Sequence, residues 1–187
     1  MSAYEGSLLI VEDSAADLRL LQEDLAAAGR PRFRATHVTT LAEAERLLRA
    51  SRFDAILLDL SLPDCDGLST VMAIRPLAPE SAVVVLSGLE DEDLALAAVR
   101  AGAQDYRVKG RADGRTLTRA IEFAIARHRA ERRRLQLIAE LQEAVSRVHI
   151  LSGMLAEELP SISDRTPRRP LGGEERFVAK AVGLPGA

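Results

Sequence analysis

The chain has 187 residues, of which 47% are hydrophobic and 28% charged, with no Trp, one Cys and a formal net charge of −3. That balance excludes a wholly disordered or fibrous chain, and no apolar run approaches the ~18 residues of a membrane span. One Cys excludes an internal disulfide framework and a multi-Cys zinc site. The start, MSAYEGSLLIVED, lacks a basic region before its apolar run, so no signal peptide is expected and the cytoplasm is the expected location.

Charge is divided along the chain. Residues 1–110 hold 11 basic and 18 acidic side chains, whereas residues 111–187 hold 14 and 10. Such a break points to segments with different jobs. Lys109 and Lys180 are the two lysines among 25 basic residues; the rest are Arg. A lysine in this background suggests a use specific to a compact ammonium.

In chain order, Leu8 to Val11 reads as a short buried strand that stops at Glu12-Asp13. Ser14 can cap a helix carrying Leu18, Leu21 and Leu25, closed by Gly29. Phe33–Val38 is a second strand and Leu41–Ala50 a second helix. Ala55–Leu58 is a third strand ending on Asp59. Ser61 to Gly67 is dense in turn formers and reads as a loop. Leu68–Ile74 is helical until Pro76. Ala82–Leu86 is the strongest strand and ends on Ser87-Gly88. Leu94–Val99 is helical, and Gly102 ends it. Asp105–Val108 is a fifth strand, followed at once by Lys109-Gly110. A long helical pattern then runs from about Gly114 to Leu155.

Continuous apolar strands alternating with helices predict an α/β fold, a doubly wound five-stranded parallel sheet. Ligands in such sheets bind outside the carboxyl ends of the strands. Those ends carry Glu12, Asp13, Asp59, Ser87 and Lys109. Carboxylates held together need a counter-charge, and a hard divalent cation such as Mg²⁺ suits oxygen donors. Phosphoryl transfer follows from this set. Asp59, alone at the end of the central strand, is the expected nucleophile. Glu12 and Asp13 are the expected metal holders, and Lys109 and Ser87 the groups that meet phosphoryl oxygens.

The blocks LLIVEDS, DAILLDLSLPDCDGL, VVVLSG and AGAQDYRVKG, in that order, resemble the receiver domain of two-component response regulators over residues 6–125. The resemblance implies a flavodoxin-like receiver whose Asp59 accepts a phosphoryl group from a sensor histidine kinase. It implies Mg²⁺ held by Asp13, Asp59 and the Ser61 backbone carbonyl, with Glu12 acting through water. Ser87 and Lys109 would bind phosphoryl oxygens, and Gly88 would leave room for them. Tyr106 matches an aromatic switch that turns inward as Ser87 moves. Ser61 and Leu89 match positions that tune phosphate lifetime. Receivers commonly carry Pro after the Lys, joined by a cis peptide. Gly110 stands there instead, so a different loop geometry is expected.

Three segments are expected: the receiver at 1–125, an extended helix at 126–156 and a mostly disordered tail at 157–187. Leu137, Leu141, Ala144, Val148, Leu151 and Leu155 alternate spacings of four and three, an a/d seam. Ile138 and Val145 widen it. A homodimer through residues 137–155 is the simplest way to bury this face, and the stretch LIAELQEAVSRVHILSGML resembles the linker helix that follows some receivers. The Arg-rich run from Arg127 to Arg134 reads as a solvated face, with nucleic-acid binding as an alternative. Cys65 reads as an incidental exposed thiol. His128 and His149 are read as exposed helix residues lacking the surroundings of a phosphotransfer histidine. The expected role is therefore a signalling switch, not an enzyme, acting on an unknown downstream protein, with a phosphorelay intermediate as the alternative. A haloacid-type phosphatase needs a second Asp where Ser61 stands.

Overall fold

The computed structural model describes residues 6–27, 33–111 and 113–158, with side chains as far as Leu151. The tail expected over 157–187 lies outside the described residues beyond Glu158. By its contacts the chain divides into two compact units, Met1–Glu140 and Leu141–Ala187.

In chain order the elements are β1 (Gly6–Val11), α1 (Ala15–Ala27), β2 (Phe33–Val38), α2 (Leu41–Ala50), β3 (Ala55–Asp59), β4 (Ser61–Leu62), β5 (Cys65–Asp66), α3 (Leu68–Leu77), β6 (Ala82–Ser87), α4 (Glu92–Arg100), β7 (Asp105–Val108) and α5 (Gly114–Glu158). Five strands form one sheet in the order β2-β1-β3-β6-β7. All four pairings are parallel, with Val11 opposite Leu58 and Asp59 opposite Leu86. The doubly wound fold is therefore present.

The apolar runs are continuous because both faces of the sheet are covered. Alternate side chains go to opposite layers. Leu9, Val11, Ile56, Leu58, Val83 and Val85 pack with residues of α2, α3 and α4. Leu8, Ile10, Leu57, Val84 and Leu86 pack with Leu21 of α1 and Leu117, Ile121 and Ile125 of α5. Burying each such side chain is worth about 1.5–3 kcal/mol, which makes the sheet a firm base for the polar groups at its carboxyl edge.

Several local readings need correction. The segment after Asp59 is not a plain loop: Ser61 pairs with Asp66 and Leu62 with Cys65 in a short antiparallel hairpin. Cys65 is half-buried against the core rather than exposed. The third helix runs through Pro76 to Leu77. It tolerates the proline because the turn ends there, closed by the Ala78 N–H on the Ile74 carbonyl at 3.0 Å.

The arginines of the Arg-rich run are exposed, as expected, while His128 within it is not. Arg127 donates to the Gln104 carbonyl at 2.8 Å, and Arg129 pairs with Asp54. Arg132 pairs with Glu80 at 3.1 Å. His128 is 6% exposed, with Nε2 3.0 Å from the Pro79 carbonyl. These groups lie on loops at the amino edge of the sheet. Across residues 127–134 the arginines stay exposed and His128 is buried.

In the second unit, Leu141, Val145, Val148 and Leu151 of α5 are 60–68% exposed. Leu155 falls within α5, but its side chain lies outside the described residues. His149 is exposed. Among the described residues no helix is long and apolar enough to cross a membrane.

Candidate functional site

The carboxyl edge of the sheet gathers residues more than 90 positions apart in sequence, as Lys109 and Asp17 are. Glu12 leaves β1 with its N–H on the Val38 carbonyl at 3.0 Å, which fixes its backbone. Its side chain is 1% exposed. Oε1 accepts the Ser14 N–H at 3.1 Å. Oε2 is buried and has no hydrogen-bond partner among the described residues; the Lys109 ammonium forms an ion pair with it at 2.7 Å. Asp59 ends the central strand and is 4% exposed. Its Oδ1 accepts the Ser61 N–H at 3.2 Å, and its Oδ2 accepts from Lys109 at 2.8 Å.

Lys109 is held at both ends. Its backbone N–H donates to the Ser87 carbonyl at 2.8 Å. Its ammonium meets Glu12, Asp59 and, at 2.9 Å, Asp17. Burial alone would depress the Lys109 pKa, but hydrogen bonds to Asp59, Glu12 and Asp17 outweigh it and hold the ammonium well above its ordinary value. Burial pushes the Glu12 carboxyl up and the Asp59 charge adds to that, while the Lys109 hydrogen bond offsets only part.

Glu12, Asp13 and Asp59 each offer a carboxylate oxygen, all within 4.8 Å of one another, and Asp13 is exposed. Hard oxygen donors converging beside an open side suit Mg²⁺, which keeps several waters. The residues present therefore fit the cation expected from sequence.

Ser87 and Tyr106 meet at one backbone residue. The Ser87 hydroxyl accepts the Leu89 N–H at 3.1 Å, and the Tyr106 hydroxyl donates to the Leu89 carbonyl at 2.8 Å. Ser87 is buried and Tyr106 packs partly against the core. A Cβ added to Gly88 would meet nothing within 4 Å. His37 Nε2 lies 2.7 Å from the Glu12 carbonyl oxygen.

The loop after β7 explains Gly110. No cis peptide occurs among the described residues, and Gly110 has φ +72°. The Arg111 N–H reaches the Val108 carbonyl at 3.4 Å, closing a turn with glycine at its third position. Proline is fixed near φ −65° and could not take that conformation.

One residue of the site, Asp17, and one near Asp59 in sequence, Asp64, escaped the sequence reading. Asp17 lies in the first turn of α1, where an acid is an ordinary helix-start residue. Asp64 sits in the hairpin turn and accepts the N–H groups of Leu41 and Ala42 at 2.9 Å each, closing the N-terminus of α2 alongside Thr40. These hydrogen bonds hold its carboxyl below the usual range. Nothing local in the sequence joins Asp64 to α2.

The sequence matches the response regulator receiver domain family over residues 8–122. The chain belongs to that family. The transcriptional regulatory protein PrrA of Mycobacterium tuberculosis is 37% identical over 102 residues, 54% of this chain and 42% of that protein. The receiver thus spans well under two thirds of the length of the curated relatives it matches. The receiver domain of a sensor histidine kinase from Pseudomonas aeruginosa, solved with magnesium ion coordinated in the active site cleft, is 26% identical with a TM-score of 0.56. The match covers 65% of this chain and 98% of that one. A Burkholderia pseudomallei response regulator, solved with a phosphorylated aspartic acid, calcium ion and citrate, is 25% identical with a TM-score of 0.55, covering 68% of this chain and 72% of that one. Residues 8–122 are therefore a response regulator receiver domain, a signalling domain rather than a typical enzyme. Receivers bind Mg²⁺ at an acidic site and are phosphorylated by histidine kinases.

Proposed function

We propose that this receiver is a phosphorylation-dependent switch in which Asp59 accepts the phosphoryl group. The observation that carries the reading is the buried Asp59 carboxylate, bonded to Lys109 at 2.8 Å and within reach of Glu12 and Asp13 oxygens. A carboxylate oxygen of Asp59 attacks phosphorus, and the bond from phosphorus to the leaving group breaks. With acetyl phosphate the electron pair departs on acetate, leaving an acyl phosphate on Asp59. With a kinase phosphohistidine it departs on the imidazole nitrogen, which takes up a proton.

Glu12, Asp13, Asp59 and the Ser61 carbonyl would hold Mg²⁺, which when bound neutralises phosphoryl charge. Lys109 donates to a phosphoryl oxygen, and Ser87 does so after its hydroxyl leaves the Leu89 N–H. That exchange loosens the residue to which Tyr106 is also bonded, so Ser87 and Tyr106 form the switch. The phosphoryl group favours the state it binds better and shifts the population toward it.

In this reading the receiver is 1–125 and the helix over 126–156 carries the output. The partners are a sensor histidine kinase, a second copy through residues 137–155 and a downstream protein. Arg127, Arg129 and Arg132 contact Gln104, Asp54 and Glu80 but stay exposed, so nucleic-acid binding through the Arg-rich run stands as the alternative reading.

The test is labelling by acetyl phosphate with and without Mg²⁺. The wild type takes one phosphoryl group only with Mg²⁺, and Asp59→Ala takes none. Undiminished labelling of Asp59→Ala would sink the assignment.

A further inference from the structure

Three carboxylates reach the Lys109 ammonium, and the role of two of them follows from the phosphoacceptor reading. Asp59 is the acceptor and Glu12 belongs to the cation site. Asp17 belongs to neither: it stands outside the oxygens that converge for a cation among the described residues. Its Oδ2 nonetheless lies 2.9 Å from Lys109 Nζ, a contact spanning 92 residues.

The placement of Asp17 is built. Glu12 Oε1 accepts the Ser14 N–H at 3.1 Å, and Ser14 Oγ accepts the Asp17 N–H at 3.2 Å. The Asp17 carboxylate then accepts from Lys109, whose ammonium returns to Glu12 Oε2 at 2.7 Å. The four residues close a ring. The helix cap that starts α1 therefore also sets where the Asp17 carboxylate stands.

We propose that Asp17 is a positioning residue for phosphoryl transfer to Asp59, acting through Lys109. This rests on the reading of Asp59 as the acceptor. An ammonium has three protons to donate and no lone pair. At rest Asp17 and Asp59 take one each, and the ammonium faces Glu12 Oε2 as an ion pair at 2.7 Å. When Asp59 becomes an acyl phosphate, its negative charge moves out to the phosphoryl oxygens. The proton that bonded Asp59 turns to one of those oxygens, while Asp17 keeps its hydrogen bond and Glu12 its ion pair. The ammonium is thus aimed by two fixed acceptors and redirects a single bond. Without Asp17, one N–H loses its acceptor and the long lysine stem is restrained on one side only. Misplacing a charge-stabilising group by about 1 Å costs up to ~10²-fold in rate.

The lysine count makes a direct measurement possible. Lys109 and Lys180 are the only two lysines, so protein labelled with ¹⁵N-lysine has two side-chain ammonium signals, and Lys109→Arg assigns them. Ammonium exchange with water is measured for wild type, Asp17→Ala and Asp17→Asn, with the rate of Mg²⁺-dependent labelling by acetyl phosphate alongside. Asp17→Ala leaves the N–H that Ser14 caps, so the helix start is retained, and thermal unfolding checks this. The expected result is Lys109 exchange at least about tenfold faster and labelling about fivefold slower in Asp17→Ala. Asp17→Asn, which keeps an acceptor oxygen but no charge, falls between. Unchanged exchange, or unchanged labelling, in Asp17→Ala overturns the proposal while leaving Asp59 as acceptor. A wild type that takes no label overturns the phosphoacceptor reading and this inference together.

Discussion

His128 shows how much one side chain's setting changes its chemistry. It lies on α5, faces Pro79, and has Arg75, Arg132 and Glu131 around it. Burial pushes its pKa below the ordinary 6.5, and the two arginines push the same way, against the Pro79 carbonyl and Glu131. The fold thus prefers the neutral ring. As pH falls below the unfolded value, the unfolded chain takes up a proton that the folded chain resists. Stability therefore declines from the ordinary histidine pKa down to the depressed one, with no further loss from this group below that. Thermal unfolding followed from about pH 7.5 to about pH 5.5 is expected to show a falling midpoint in wild type and a flatter curve in His128→Gln. Parallel curves would assign the acid sensitivity to other groups. The same burial removes His128 as an exposed phosphotransfer histidine.

At the scale of elements, the junction of α1 and α5 decides how closely these two helices of one layer approach. Gly114 opens α5, and a Cβ built there would lie 1.7 Å from the Asp24 carbonyl oxygen. No side-chain rotation relieves that clash, because the obstacle is backbone. Gly114→Ala is therefore expected to cost about 3 kcal/mol, at the upper end of overpacking changes, read as a lower urea midpoint. Loss of the Asp64 bonds should also lower the midpoint, through the open end of α2. A Gly114→Ala protein as stable as wild type would show that α5 can shift its start without cost. The hairpin of β4 and β5 belongs to this scale too. It returns the chain after Asp59 so that Asp64 reaches α2, and the Ser61 N–H reaches Asp59.

For the whole molecule, the open question is how the switch is read. The apolar face with Leu141, Val145, Val148 and Leu151 is broader than a two-residue seam. Its burial against a second copy should be visible by light scattering on a sizing column, with and without Mg²⁺ and beryllofluoride. A dimer in both conditions makes the helix constitutive, with the signal in its geometry. A dimer only with the phosphoryl mimic makes association the output. Leu141→Glu with Val148→Glu is expected to yield a monomer that still labels with acetyl phosphate. A monomeric wild type under every condition would remove the dimer.

The strands, their order of appearance and the acidic, hydroxyl and ammonium ends were legible because buried parallel strands are continuous apolar runs stopped by polar residues. Glu12, Asp59, Ser87 and Lys109 could be named from sequence because each directly follows or ends such a run. Asp17 and Asp64 could not, since an acid in a helix start or a turn carries no local mark of its distant partner. The burial of His128 was hidden for the same reason: a residue in a charged helical run reads as solvated until the loops opposite it are known. Local hydrophobic pattern determined the layers and the edge where chemistry collects. Only the tertiary structure decided which distant groups share hydrogen bonds there, because such bonds depend on ångström-scale distances that sequence spacing does not encode.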